Sequence, residues 1–96
     1  MLHLLSRSRF SDPALYRRAI NALDENDALV FIGDGVLGLA GLSKEELPPL
    51  QVPLYFVQED MASRGGAGEL PEGIQGIDMA RLVELSAEHP RSISWY

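Results

Sequence analysis

Apolar residues fall in short blocks separated by polar turns, and their period changes from block to block. Residues 2–6 form a brief apolar run and predict a first strand. Asp12-Pro13 supplies an N-cap followed by proline at the first helical position. Tyr16, Ala19, Ile20 and Leu23 then recur at i, i+3, i+4 and i+7, predicting an amphipathic helix over 13–23 with Arg17 and Arg18 off the buried stripe. After the polar turn 24–27, the continuous apolar run 28–32 predicts a strand buried on both faces. Residues 36–42 are apolar but carry glycines, as in a short or broken helix. The Ser43 to Glu46 spacing matches a capping box and predicts one further turn before Pro48-Pro49 stops it.

Residues 52–57 predict the third strand, and Asp60 is placed to cap a short helix running through Arg64 to Gly65-Gly66. A weaker strand follows at 74–77. Asp78 caps a helix with Met79, Leu82, Val83 and Ser86 along one side, ending near His89-Pro90. Residues 92–96 predict a last edge strand. Strands alternating with helices imply an α/β fold: a small, doubly wound, mostly parallel sheet of four to five strands with helices on both faces. The whole of 1–96 is read as a single domain. In this class, ligands and partners meet the loops at the carboxyl ends of strands.

Composition narrows the function. A chain that is 46% hydrophobic and 23% charged is ordinary for a folded domain, which argues against disorder. The net charge of −6 disfavours direct nucleic-acid binding and attachment to anionic membranes, both of which need a cationic footprint. Arg7, Arg9, Arg17 and Arg18 are a local exception, read as a solvated face or a docking patch. The chain has no cysteine, so it offers no disulfide, thiolate nucleophile, persulfide or cysteine metal site. No signal-peptide pattern or membrane span is visible, and a cytoplasmic protein is expected.

Gly33, Gly35 and Gly38 spell G-x-G-x-x-G directly after the second strand, and Glu59-Asp60 follow on the next one. That is the outline of a dinucleotide fingerprint. Three features oppose it. Asp34 sets a carboxylate where a pyrophosphate would approach. Gly38 and Gly41 break the helix behind the turn, leaving little aligned dipole. Too little chain remains for a second nucleotide-binding half. No cofactor is therefore expected. The glycines are read as permitting a tight turn, with Asp34 bonding nearby amides or capping the short helix.

His3 and His89, the two histidines, lack zinc-ligand spacing and are read as structural, His3 packed in a strand and His89 at a helix end. Glu59-Asp60 diverge too far to share a proton. No G-x-S-x-G elbow occurs. No catalytic or metal residues are assigned. The candidate interface comprises Asp34, Gly35, Val36, Leu37 and Leu39 in the glycine-rich segment, with Trp95 and Tyr96 at the end.

Met1-Leu2-His3, Arg7-Ser8, Asp34-Gly35-Val36, Glu59-Asp60, Ala62-Ser63-Arg64-Gly65, Ile77-Asp78, His89 and Trp95 occur in an order that resembles the DsrH/TusB family of sulfur-relay subunits. The resemblance implies a DsrE/DsrF/DsrH-like fold and assembly with TusC (DsrF-like) and TusD (DsrE-like) paralogues as a dimer of heterotrimers. It further implies sulfur received from a TusA-like carrier and passed through a TusE-like one toward 2-thiolation of the tRNA wobble uridine. The sulfur-carrying cysteine of that family sits on the TusD-like subunit. The Dsr branch, serving dissimilatory sulfur oxidation, usually has a cysteine in its DsrH subunit, which this chain lacks. The implied role is a non-catalytic structural subunit. The alternatives are a small nucleotide- or phosphate-binding protein using residues 33–38 and a Dsr-type subunit in dissimilatory sulfur oxidation, and self-association of the isolated chain is left open.

Overall fold

The computed structural model describes residues 1–47, 51–65 and 70–95. Strands β1 (Leu2–Leu5), β2 (Ala28–Phe31), β3 (Leu54–Val57), β4 (Ile74–Ile77) and β5 (Ser92–Trp95) form one sheet in the order β4-β3-β2-β1-β5. Every pairing is parallel. Between them lie helices α1 (Pro13–Asn21), α2 (Gln58–Ser63) and α3 (Met79–Glu88), and the 3₁₀ segments Gly33–Gly38 and Lys44–Glu46. This is the expected α/β sheet, now wholly parallel and five-stranded. The last strand is present through Trp95; Tyr96 lies outside the described residues.

Topology follows from chain direction. From β1 to β4 the chain steps steadily toward one edge, then returns through α3 to the far side of β1. Right-handed crossovers taken in opposite directions must lie on opposite faces of the sheet. The core divides accordingly. On one face Tyr16, Ala19, Ile20 and Leu23 pack with Leu5, Leu29, Phe31, Val36 and Leu39, and α2 adds Met61. On the other, Leu82 and Leu85 of α3 cover Leu2, Ala28, Val30, Val57 and Ile77. Strand β2, central among the five, is buried throughout, as its unbroken apolar run requires.

Two local expectations are corrected. Met79 and Val83 of α3 are 51% and 64% exposed, so the inward stripe is Leu82 and Leu85. Asp60 does not cap α2: the helix starts at Gln58, after Val57, and Asp60 sits within its first turn. By contrast, Asp12 caps α1 by accepting the Leu15 N–H, and Asp78 caps α3 by accepting the Arg81 N–H.

Candidate functional site

The carboxyl ends of parallel strands gather on one rim, where β2 hands over to the glycine turn and β3 to α2. Gly33 adopts φ +51°, a left-handed conformation that favours glycine. Its N–H donates to Asp60 Oδ2 at 2.8 Å. Arg64, just past α2, donates from Nε to Asp34 Oδ1 at 2.8 Å and lies 3.6 Å from Asp60 Oδ1. It also donates to the Asp60 carbonyl and the Ser63 hydroxyl. The turn amide that would meet a phosphate in a nucleotide protein thus meets a carboxylate of the same chain. The expectation for Asp34 is corrected here: Asp60 takes the turn amide, and Asp34 pairs with Arg64.

The second glycine works by proximity. A Cβ on Gly35 would stand 2.2 Å from the Leu5 carbonyl oxygen, so only a bare backbone lets the turn press onto β1. Of the candidate interface residues, Gly35, Val36 and Leu39 are buried, which makes them core on this chain. Asp34 and Leu37 face solvent, Leu37 at 45% exposure. Phe10, 64% exposed, extends the rim beside Arg9, over whose guanidinium it packs at 4.2 Å. Sequence reasoning did not single out Phe10.

Arg9 clamps the segment behind the turn. Its Nε donates to the Gly38 carbonyl at 2.8 Å, and its Nη1 donates to Glu46 Oε2 at 2.7 Å. The Ser43 hydroxyl and N–H both donate to Glu46 Oε1, which supplies one half of the expected capping box, while the Glu46 N–H donates to the Ser43 carbonyl rather than to its hydroxyl. Those Ser43 bonds, aided by Arg9, hold the Glu46 carboxyl below its usual range. The Tyr16 hydroxyl donates to the Glu46 carbonyl at 2.7 Å. Burial, with Glu46 nearby and Arg9 opposing, pushes its phenol up to about 12.

A second polar cluster joins the two ends of the chain. His3, 2% exposed, bonds through Nε2 to Asp27 Oδ2 at 2.8 Å, while its Nδ1 accepts the Trp95 indole N–H at 3.1 Å. The indole N–H can only donate, so Nδ1 carries a lone pair and the proton sits on Nε2. The ring planes are 7° from parallel with centroids 6.2 Å apart, which fits an in-plane N–H···N bond rather than face-to-face overlap. Asp27 also accepts the Met1 ammonium at 2.9 Å and the Asp24 N–H at 3.0 Å. Burial works to raise its carboxyl, but the bonds from the amino terminus, Asp24 and His3 outweigh it and pull it to about 2. Both nitrogens of His3 are engaged inside the protein. In this arrangement neither nitrogen of His3 is open to a substrate.

Among the described residues, no group of three or more His, Asp or Glu could hold a metal ion, and no helix is long and apolar enough to cross a membrane. A family model described as DsrH like protein matches residues 7–92. The chain belongs to the DsrH family. Protein TusB of Pectobacterium parmentieri is 35% identical, over 99% of this chain and all of that protein. Protein TusB of Escherichia coli strain K12 is 30% identical over the same shares. The crystal structure of the ychN protein from E. coli aligns with a TM-score of 0.70 across 98% of this chain and 97% of that one, at 17% identity, a likeness of fold.

Several of the residues that carry the resemblance to the DsrH family serve as clasps in the structure. His3 and Trp95 tie β1 to β5. Asp34, Asp60 and Arg64 tie the glycine turn to α2. The Ser8 hydroxyl accepts the Ser11 N–H, shaping the loop after β1. Asp78 caps α3. In this DsrH-family chain these motif residues do conformational work.

Proposed function

We propose that the chain is a non-catalytic structural subunit of a cytoplasmic sulfur-relay complex serving 2-thiolation of the tRNA wobble uridine. The observation that carries this reading is a DsrH-family fold without a cysteine. Membership and the full-length similarity to TusB support a sulfur-relay role in general. The missing thiol removes the one side chain able to hold a persulfide, so the sulfur must ride on a partner. The occupied glycine turn and the doubly bonded His3 leave internal contacts where a cofactor enzyme would keep open donors.

The partners are TusC/DsrF-like and TusD/DsrE-like subunits in a dimer of heterotrimers, with TusA- and TusE-like carriers acting on that assembly. The exposed candidate residues Asp34 and Leu37, with Trp95 at the end of β5, belong to the contact surface. Co-expression with the paralogous subunits, followed by light scattering, tests the reading. A heterotrimeric or hexameric mass supports it, and a chain that elutes alone overturns it. Labelling with sulfur-35 through the relay should mark the cysteine-bearing partner and leave this chain unmarked.

A further inference from the structure

The cluster around His3 has a consequence for the edge of the sheet. Strand β5 pairs only with β1, and its end is fastened by three bonds: Trp95 N–H to His3 Nδ1, and the Ser6 N–H and hydroxyl to the Trp95 carbonyl. The first of these needs a lone pair on Nδ1. We propose that His3 is a proton-operated latch: binding of one proton at Nδ1 expels the Trp95 indole and loosens β5, opening the edge of β1.

The chemistry is a single protonation. The proton takes the Nδ1 lone pair, so the indole N–H then faces another donor and its bond is lost. The second N–H of the imidazolium stays on Asp27, a carboxylate that compensates the new charge while Nδ1–H is left seeking water. Histidine is the side chain whose charge ordinarily changes between about pH 5 and 8. The charged groups bonded within the cluster are Asp27 and the Met1 ammonium. The neighbouring strands bring Leu29 and Ile93 opposite His3, and α1 turns Ala19 and Ile20 inward, followed by buried Leu23, with Arg17 and Arg18 exposed. Arg91, ahead of β5, is exposed. An opened β1 edge presents unpaired backbone groups to which another strand can add.

Trp95 is the only tryptophan, so its fluorescence reports on the latch directly. Emission and amide hydrogen exchange are to be followed from pH 8 to 5 in the full chain, with far-ultraviolet circular dichroism as the control for global unfolding. The expected result is a red shift of emission with unchanged dichroism. Opening at residues 93–95 and at the Ser6 amide should become about tenfold more frequent after correction for intrinsic rate, as loss of roughly one hydrogen bond predicts. His3→Gln, which keeps one donor and one acceptor but does not titrate, should abolish the response, and His89→Gln should keep it. Emission indifferent to pH, exchange that quickens equally in β2 and β3, or a response that survives His3→Gln would each overturn the latch. Should His3→Gln not fold, the wild-type exchange pattern decides alone.

Discussion

A single absent methyl group fixes how closely the glycine turn approaches β1. Gly35→Ala would drive Cβ against the Leu5 carbonyl oxygen at 2.2 Å, a backbone atom that cannot swing away. The expected cost is at least about 1–3 kcal/mol, the range for overpacking a rigid site, read as a lower urea midpoint. Gly41→Ala is the contrasting case: Gly41 is left-handed, at φ +73°, which Gly35 is not, but nothing lies within 4 Å of its Cβ position. Only the conformational penalty of about 1–2 kcal/mol applies there. A Gly35→Ala variant as stable as wild type would show that close approach is not what Gly35 provides. Asp27 supplies a pH-dependent counterpart. Its carboxyl is lowered to about 2 in the folded chain from an ordinary value of 3.8. A lowered carboxylate stabilises above the unfolded value, and that contribution is lost as pH falls through the folded one. About 2 kcal/mol should therefore disappear between roughly pH 4 and 2. Wild-type and Asp27→Asn stabilities, measured by urea unfolding, should converge across that window; curves that stay parallel would reject the assignment.

At the scale of elements, sequence pattern decided those parts whose causes are local. Asp12-Pro13 and most of the i, i+3, i+4, i+7 stripe are local to α1, and the structure returns that helix with Tyr16, Ala19 and Ile20 buried as expected, Leu15 buried in addition, and Leu23 just past its end at Asn21. Helix α3 was harder because Met79, Leu82, Val83 and Leu85 are all apolar and spread over more than one face. Only the sheet beneath selects Leu82 and Leu85. Asp60 and Gly33 are 27 positions apart, and their bond exists because β2 and β3 are neighbours. A helix cap was the best local use for Asp60, whereas tertiary proximity gave it a distant amide. His3 and Trp95 meet across 92 positions through the pairing of β1 with β5, which no short-range pattern encodes. The Arg9 clamp is of the same non-local kind and can be tested as a unit. Arg9→Ala removes bonds to Gly38 and Glu46 from a side chain only 15% exposed. Stability should fall by about 1.5–3 kcal/mol, as for hydrogen bonds to charged groups. Amides of residues 39–46 should exchange faster while those of β2 do not. Arg9→Lys should recover little, since an ammonium cannot reproduce the fork of a guanidinium.

Among the described residues, exposed apolar side chains pair up at two places on different sides of the sheet. One is the rim at the carboxyl strand ends, with Leu37 and Phe10. The other is the outer stripe of α3, with Met79 and Val83. Single exposed apolar residues are normal, so exposure alone does not choose between them. The rim has the stronger claim because its residues are held rigidly: Leu37 lies in a segment pressed onto β1 by Gly35 and clamped by Arg9, and Phe10 is held against the Arg9 guanidinium. A preordered surface loses less conformational entropy on association. If the rim meets the paralogous subunits, Leu37→Glu should abolish co-purification with them, because a buried carboxylate without a partner is strongly unfavourable. Its thermal midpoint as an isolated chain should barely move, since the side chain is already half in water. Val83→Glu, on the far side, should leave assembly intact. The opposite outcome, assembly lost with Val83→Glu and kept with Leu37→Glu, would transfer the contact to α3. That face would then dock the partner, leaving the glycine turn a purely internal device.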